Sequence, residues 1–186
     1  MRTPIFLVAI VLVTAPFTRA DSSNNNGTKG AKAAPEGTFP KLTASNLAKQ
    51  AFSLPGDFAG ERNLLLIAFQ REQQKNVDTW LGEMHRFEQW PGFAYYELPT
   101  ISRLNPIARW FINSGMRRGI PDANARARTI TLYLDKVAFR EALDLPYEDR
   151  IYAVLVDRSG RVHWRAEGDF DEAKAASLQE ALRQGS

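Results

Sequence analysis

The side chains that most often carry covalent chemistry are scarce in this sequence of 186 residues, which has no Cys and two His, His85 and His163. Without cysteine there is no thiolate nucleophile, no disulfide, and no thiolate ligand for zinc or an iron–sulfur cluster. Two histidines far apart in the chain do not make a His-rich metal site. His163 and Trp164 are adjacent in a strand-like stretch, so they point to opposite sheet faces, and His163 reads as structural. His85 follows Met84 on a helical pattern and reads as a surface or boundary residue. Ser159 stands in the turn Asp157-Arg158-Ser159-Gly160 without a recognisable oxyanion loop or base, so it reads as a turn residue. Glu167, Asp169, Asp171 and Glu172 gather near a helix start, where they complement the helix dipole rather than build a calcium site. No Gly-rich phosphate loop of standard spacing occurs. The residues offer no catalytic constellation, no metal ligand set and no cofactor site. Binding chemistry is what remains.

The strongest binding signal lies in residues 101–128, where Arg103, Arg109, Arg117, Arg118, Arg126 and Arg128 face Asp122 alone, a local charge of +5. Leu104, Ile107, Ala108 and Phe111 fall on one helical face with Trp110 beside them. A basic amphipathic segment with an aromatic flank suits an anionic lipid surface or an acidic partner. Arg109, Trp110, Arg117 and Arg118 are therefore candidate partner-binding residues. The same pattern also fits a helix that covers a sheet with its arginines solvated.

Nucleic acid is a poor candidate. The formal charge is +3, but removing Arg2 and Arg19 of the first 20 residues from the 24 basic residues leaves 22 against 21 acidic, a net charge of +1. A nucleic-acid surface would have to survive that subtraction. Residues 1–20 have a short positive start, then a 14-residue uncharged run from Pro4 to Phe17, then Ala20 before Asp21. That layout predicts a secretory signal peptide, with an uncleaved anchor as its rival. The protein is accordingly expected to be exported, either periplasmic or peripheral to a membrane. Residues 21–38, rich in Ser, Asn, Gly, Ala and Lys without apolar periodicity, predict a disordered linker before a single domain over 39–186.

The elements that must position these residues follow from periodicity. Residues 63–69 form a continuous apolar run, predicting a strand buried on both faces. Val77, Trp80, Leu81, Met84 and Phe87 recur at helical spacing, with Asn76 as the expected N-cap and Pro91-Gly92 as the stop. Trp80 is expected to pack that helix on the sheet. A strand over 93–98, a helix near 106–115, an irregular arm and an alternating strand over 129–134 follow. A short helix over 137–143, a hairpin of strands 151–156 and 161–166, and an amphipathic helix over 170–182 complete the order. This order predicts an α/β fold with a mixed sheet, helices on both faces, and a C-terminal β-hairpin plus helix.

That architecture resembles the thioredoxin-like fold in its redoxin-type elaboration. The hairpin from Val154 to Val162 with its Asp157-x-x-Gly160 turn resembles the redoxin hairpin, and Leu54-Pro55-Gly56-Asp57-Phe58-Ala59-Gly60 precedes the first core strand as it does there. Active redoxins carry Cys-x-x-Cys, or one Cys, between that strand and the next helix. Here the segment reads Gln70-Arg71-Glu72-Gln73-Gln74-Lys75-Asn76-Val77, with Gln74 and Val77 about where the sulfurs would stand. Neither can attack a disulfide or a peroxide, because that step needs a thiolate. The family's proline before the hairpin is replaced by Asp149-Arg150. The resemblance implies that Gln73, Gln74 and Lys75 line a former redox loop now available as a contact surface.

A more detailed resemblance runs from Phe69 to the C-terminus. Val77-Asp78-Thr79-Trp80-Leu81-Gly82, Arg109-Trp110-Phe111, Gly115-Met116-Arg117-Arg118 and Arg140-Glu141-Ala142-Leu143-Asp144-Leu145 occur in order. They are followed by Ile151 to Asp157 and by Val162-His163-Trp164-Arg165-Ala166-Glu167-Gly168. This series is similar to the ATP-ten family, thioredoxin-like assembly factors of the mitochondrial ATP synthase. It implies a non-catalytic accessory, assembly or chaperone-like role toward a protein subunit of a membrane complex. A small-ligand carrier for lipid or haem, and a redoxin-derived enzyme independent of cysteine, remain alternatives.

Overall fold

A computed structural model describes residues 37–184. The expected signal peptide over 1–20 and all but the last two residues of the expected linker lie outside the described residues. Those last two, Gly37 and Thr38, already belong to the domain. Thr38 bridges to Arg161 and donates its N–H to Ala142 O at 2.9 Å, and the Phe39 N–H reaches Gly160 O at 2.7 Å.

Seven strands form one sheet in the order β2-β1-β5-β4-β3-β6-β7. They are β1 (Leu42–Asn46), β2 (Ala51–Leu54), β3 (Arg62–Ala68), β4 (Phe93–Ser102), β5 (Ile130–Leu134), β6 (Tyr152–Val156) and β7 (Val162–Glu167). β3, β4 and β5 run parallel, and β6, β7, β1 and β2 are added antiparallel on either side. The apolar run of β3 occupies the centre, where Leu64, Leu65, Leu66 and Ile67 are fully buried. The β1–β2 hairpin was not anticipated. Its strands, LTASN and AFSL, are short and mix apolar with small polar residues, which is how an edge that gains only one apolar face reads.

Four α-helices lie between strands, α1 (Gln74–Leu81), α2 (Pro106–Gly119), α3 (Ala123–Arg128) and α4 (Lys136–Ala142), and α5 (Glu172–Arg183) follows β7. Strand alternation sorts the core into two layers. Leu65, Ile67, Tyr96, Leu98, Ile130 and Leu132 pack with Phe139 of α4 on one face. Leu64, Leu66 and Tyr95 pack with Val77 and Trp80 of α1 and Leu178 of α5 on the other. The architecture is therefore the expected mixed sheet covered on both faces.

Three local expectations are corrected. Asn76 is not the N-cap: a 3-10 turn at Arg71–Gln73 leads into α1, and Asn76 sits inside the helix with its amide on Asp169. That helix stops at Leu81 rather than at Pro91, although Met84 and Phe87 stay buried through a second 3-10 turn at Met84–Arg86. Burial at helical spacing thus outlasts the helix. The arm after residue 115 is helical rather than irregular. α2 runs to Gly119, and α3 begins where the Asp122 carboxylate accepts from the N–H groups of Asn124 and Ala125. Among the described residues no helix is long and apolar enough to cross a membrane.

Candidate functional site

The loops after β3, β4 and β5 all leave the carboxyl ends of parallel strands, the end at which open α/β sheets carry their sites. In the first of these loops Gln73 is only 5% exposed. Its Oε1 accepts from the Phe69 N–H at 2.8 Å and the Gln70 N–H at 3.2 Å, while its Nε2 donates to Glu148 O at 2.7 Å. One amide therefore satisfies the turn after β3 and ties it to the loop before β6. Glu148 is fixed in turn by Lys136 and by Arg140 Nε at 3.2 Å. The Lys136 hydrogen bond, helped by Arg140, holds the Glu148 carboxyl below the ordinary carboxylate range against the opposing effect of burial. Gln73 was expected on a contact surface. It is instead an internal brace, because a side-chain amide matches the donors and acceptor that this turn leaves buried.

Gln74 and Lys75 are exposed, and Val77 is buried. Gln74 Nε2 donates to Asp78 Oδ1 at 3.0 Å and approaches Glu97 Oε2 at 3.4 Å. Glu97 is a residue that sequence reasoning missed. It lies in the middle of β4, is 8% exposed, and faces the layer shared with α1. Burial pushes its carboxyl above the usual range and Asp78 adds to this, while Gln74, Thr129 and Arg128 oppose it. The Thr129 hydroxyl stands 2.8 Å from Ala125 O and 3.3 Å from Glu97 Oε1. A hydroxyl has one proton, which the shorter contact takes, so a protonated Glu97 can donate to Thr129. The only hint in the sequence was an acidic residue inside an otherwise apolar and aromatic strand.

Because its folded-state pKa is raised, ionised Glu97 costs stability above that pKa. The penalty disappears as pH falls toward the ordinary glutamate value. Glu97→Gln is therefore expected to raise the thermal midpoint at neutral pH, with the difference from wild type shrinking on acidification. Melting curves of both proteins across pH check this, and a difference independent of pH would refute it.

α2 is turned opposite to a covering helix. Alternation in β1 and β5 sends Leu42, Ala44, Ile130, Leu132 and Leu134 into the first core layer. Thr43, Ser45, Thr131 and Tyr133 are left to face α2, with Ser45 and Thr131 paired across the strands. On this polar floor α2 sets its own polar side. Asn113 Oδ1 accepts from Tyr133 Oη at 2.9 Å, Met116 Sδ lies 3.9 Å from Thr131 Oγ1, and the Arg109 guanidinium sits 5.1 Å from the Tyr133 ring centroid. An open groove of about 420 Å³ separates the helix from β1 and β5. Ile107, Trp110 and Phe111 are left outside, 71%, 58% and 65% exposed, with the two aromatic rings in edge contact at 5.0 Å.

The candidate residues of this segment consequently divide. Trp110 and Arg118 are exposed. Arg109 turns toward the sheet, its Nε donating to Leu104 O at 2.8 Å, so the expectation that it lines an outer surface is corrected. Arg117 is half-buried, with Nη2 donating to Ser114 Oγ at 3.1 Å. Elsewhere, His163 Nε2 stands 2.8 Å from Asp157 Oδ2 in the hairpin. Burial works against the Asp157 charge, but bonds from Ser159, His163 and the Arg161 N–H outweigh it and bring its pKa to about 2.

No family model matches the sequence, and no curated protein does. Solved structures do. A thiol:disulfide interchange protein from Bacteroides sp. superimposes with a TM-score of 0.50 at 18% identity, over 81% of this chain and 91% of that one. This chain has the thioredoxin-like fold. BsSco, a member of the Sco family of cytochrome c oxidase assembly proteins, matches with a TM-score of 0.55 at 11% identity, over 82% of this chain and 98% of that one. An Aquifex aeolicus VF5 protein provisionally assigned to electron transport gives 0.59 at 10% identity, over 82% and 98%. The thioredoxin-like fold is built here without a cysteine. The Gln73 brace lies in the loop after the first core strand, next to Gln74.

Proposed function

We propose that this chain is a non-catalytic thioredoxin-like protein that works by binding, as an accessory, assembly or chaperone-like factor for a membrane-associated complex. The observation that carries the reading is Gln73, whose buried amide spans the redox turn and the loop before β6. A turn closed in this way keeps the scaffold and its rim but offers nothing that can attack a disulfide or peroxide. Gln74 and Lys75 at that rim are the contact residues for a protein subunit. The sequence blocks similar to the ATP-ten family support ATP synthase as the client. The layout of residues 1–20 supports an exported protein acting at the outer side of a membrane.

Photo-crosslinking from position 74 in the native host, followed by mass spectrometry, tests the reading. Reproducible capture of a membrane-complex subunit is expected, and the absence of any protein adduct on correctly exported protein would overturn it. Disulfide or peroxide reduction by the purified chain would overturn its non-catalytic part. The carrier alternative gains little from the groove beside α2, which is open and lined mostly by polar side chains where an acyl chain or a haem macrocycle needs an apolar pocket.

A further inference from the structure

We propose that α2 docks the protein on an anionic lipid surface. The helix lies flat, with Ile107, Trp110 and Phe111 among the headgroups and Arg103 and Arg118 against their negative charge. This rests on the reading that the protein acts by binding at a membrane, and it names the surface involved.

Three observations carry it. The first is direction: the apolar side of α2 faces water because the polar floor of β1 and β5 takes its polar side. Its 14 residues make a rod roughly 21 Å long, enough to lie along an interface and too short to cross one. The second is charge. Ile107, Phe111 and Arg118 share one helical stripe by their spacing of four and seven, and Arg103 precedes the helix at its other end. Among the described residues, none of the six arginines in 101–128 forms a salt bridge with a carboxylate, whereas Arg86, Arg140, Arg150, Arg165 and Arg183 all do. The one acid in the segment, Asp122, is spent on capping α3. The third is shape. A single convex helix with an indole and a phenyl ring at its crest suits a planar, deformable interface, where aromatic side chains settle at headgroup level. A protein partner would need a groove lined with acids to match it.

The test uses the full chain with vesicles of phosphatidylcholine, with and without phosphatidylglycerol, carrying a doxyl-labelled lipid as quencher. Subtracting the emission of Trp110→Phe removes the signal of Trp80, Trp90 and Trp164 and leaves that of Trp110. Trp110 emission is expected to be quenched on anionic vesicles, and protected there from aqueous acrylamide. The vesicle partition coefficient read from that quenching should fall at least about thirty-fold in an Arg103→Glu, Arg118→Glu double variant of the same full chain. Both arginines are on the surface, so the fold survives their replacement. Unquenched Trp110 on vesicle-bound protein, or equal quenching on neutral vesicles, would overturn the proposal. Crosslinking from position 74 reads the protein client separately. A captured client with unquenched Trp110 sinks the lipid contact alone. Quenched Trp110 without a client leaves the lipid contact standing and removes the assembly role.

Discussion

Replacing Trp80 by alanine lowers the free energy of unfolding by about 3–5 kcal/mol, the largest single effect expected in the domain. The indole is completely buried between the sheet and the C-terminal helix. It meets Trp164 edge-on at 6.1 Å and Phe170 at 5.2 Å, and its Nε1–H donates to Gly168 O at 3.0 Å. Alanine would leave a cavity bounded by three elements that cannot all collapse into it, and would leave the Gly168 carbonyl without its partner. Phenylalanine keeps most of the ring packing and loses the hydrogen bond, so its expected cost is smaller, about 1–2 kcal/mol. Chemical denaturation of the three proteins measures both numbers. An alanine variant within about 1 kcal/mol of wild type would mean that the α1–α5 layer repacks far more freely than a close-packed core should.

The second large effect belongs to Gln73. Gln73→Ala leaves the N–H groups of Phe69 and Gln70 and the carbonyl of Glu148 without their partner. At about 1–3 kcal/mol for a buried polar group left unmade, the expected loss is roughly 2–4 kcal/mol, tempered by water entering the loop. Gln73→Glu is a sharper probe, since it retains the acceptor for the two N–H groups but turns the donor toward Glu148 O into a repelling oxygen. Its destabilisation should therefore be relieved at low pH, where a protonated glutamic acid can donate again. Urea midpoints of both variants at neutral and acidic pH test this. A Glu variant with no pH dependence beyond that of wild type would show that the link to Glu148 contributes little. Loosening the brace should also weaken crosslinking from position 74, because the rim it holds would no longer be preorganised.

Much of this domain is written in local pattern. The unbroken apolar run of β3, the alternation of β5, the Asp157-x-x-Gly160 turn and the spacing of Val77 and Trp80 each specify an element through its own residues and their period. Gly160 shows how local such a signal can be. Its φ of +92° is open to glycine, and the turn closes with its N–H on Asp157 O. The β1–β2 hairpin was illegible for the converse reason. An edge hairpin needs only one apolar face, and its polar alternate residues do not distinguish it from a loop. The end of α1 at Leu81 was hidden because Met84 and Phe87 remain buried in a turn that keeps roughly the helical spacing.

The sequence by itself determined the five strands from β3 to β7, the helices on both faces and the absence of thiol chemistry, since these depend on residue type and period along the chain. Only the tertiary structure decided what the candidate site is. Gln73 looks like any loop glutamine until Glu148, 75 positions away, supplies the carbonyl that its amide holds. Glu97 is one acid in a strand until α1 and α3 close over it. The apolar side of α2 is a core face by every periodic rule, and it is turned to solvent because the half-sheet beneath presents threonine, serine and tyrosine. Periodicity states that a helix has two sides. Which side is buried depends on the polarity of the surface it meets, and that surface is built from strands distant in sequence.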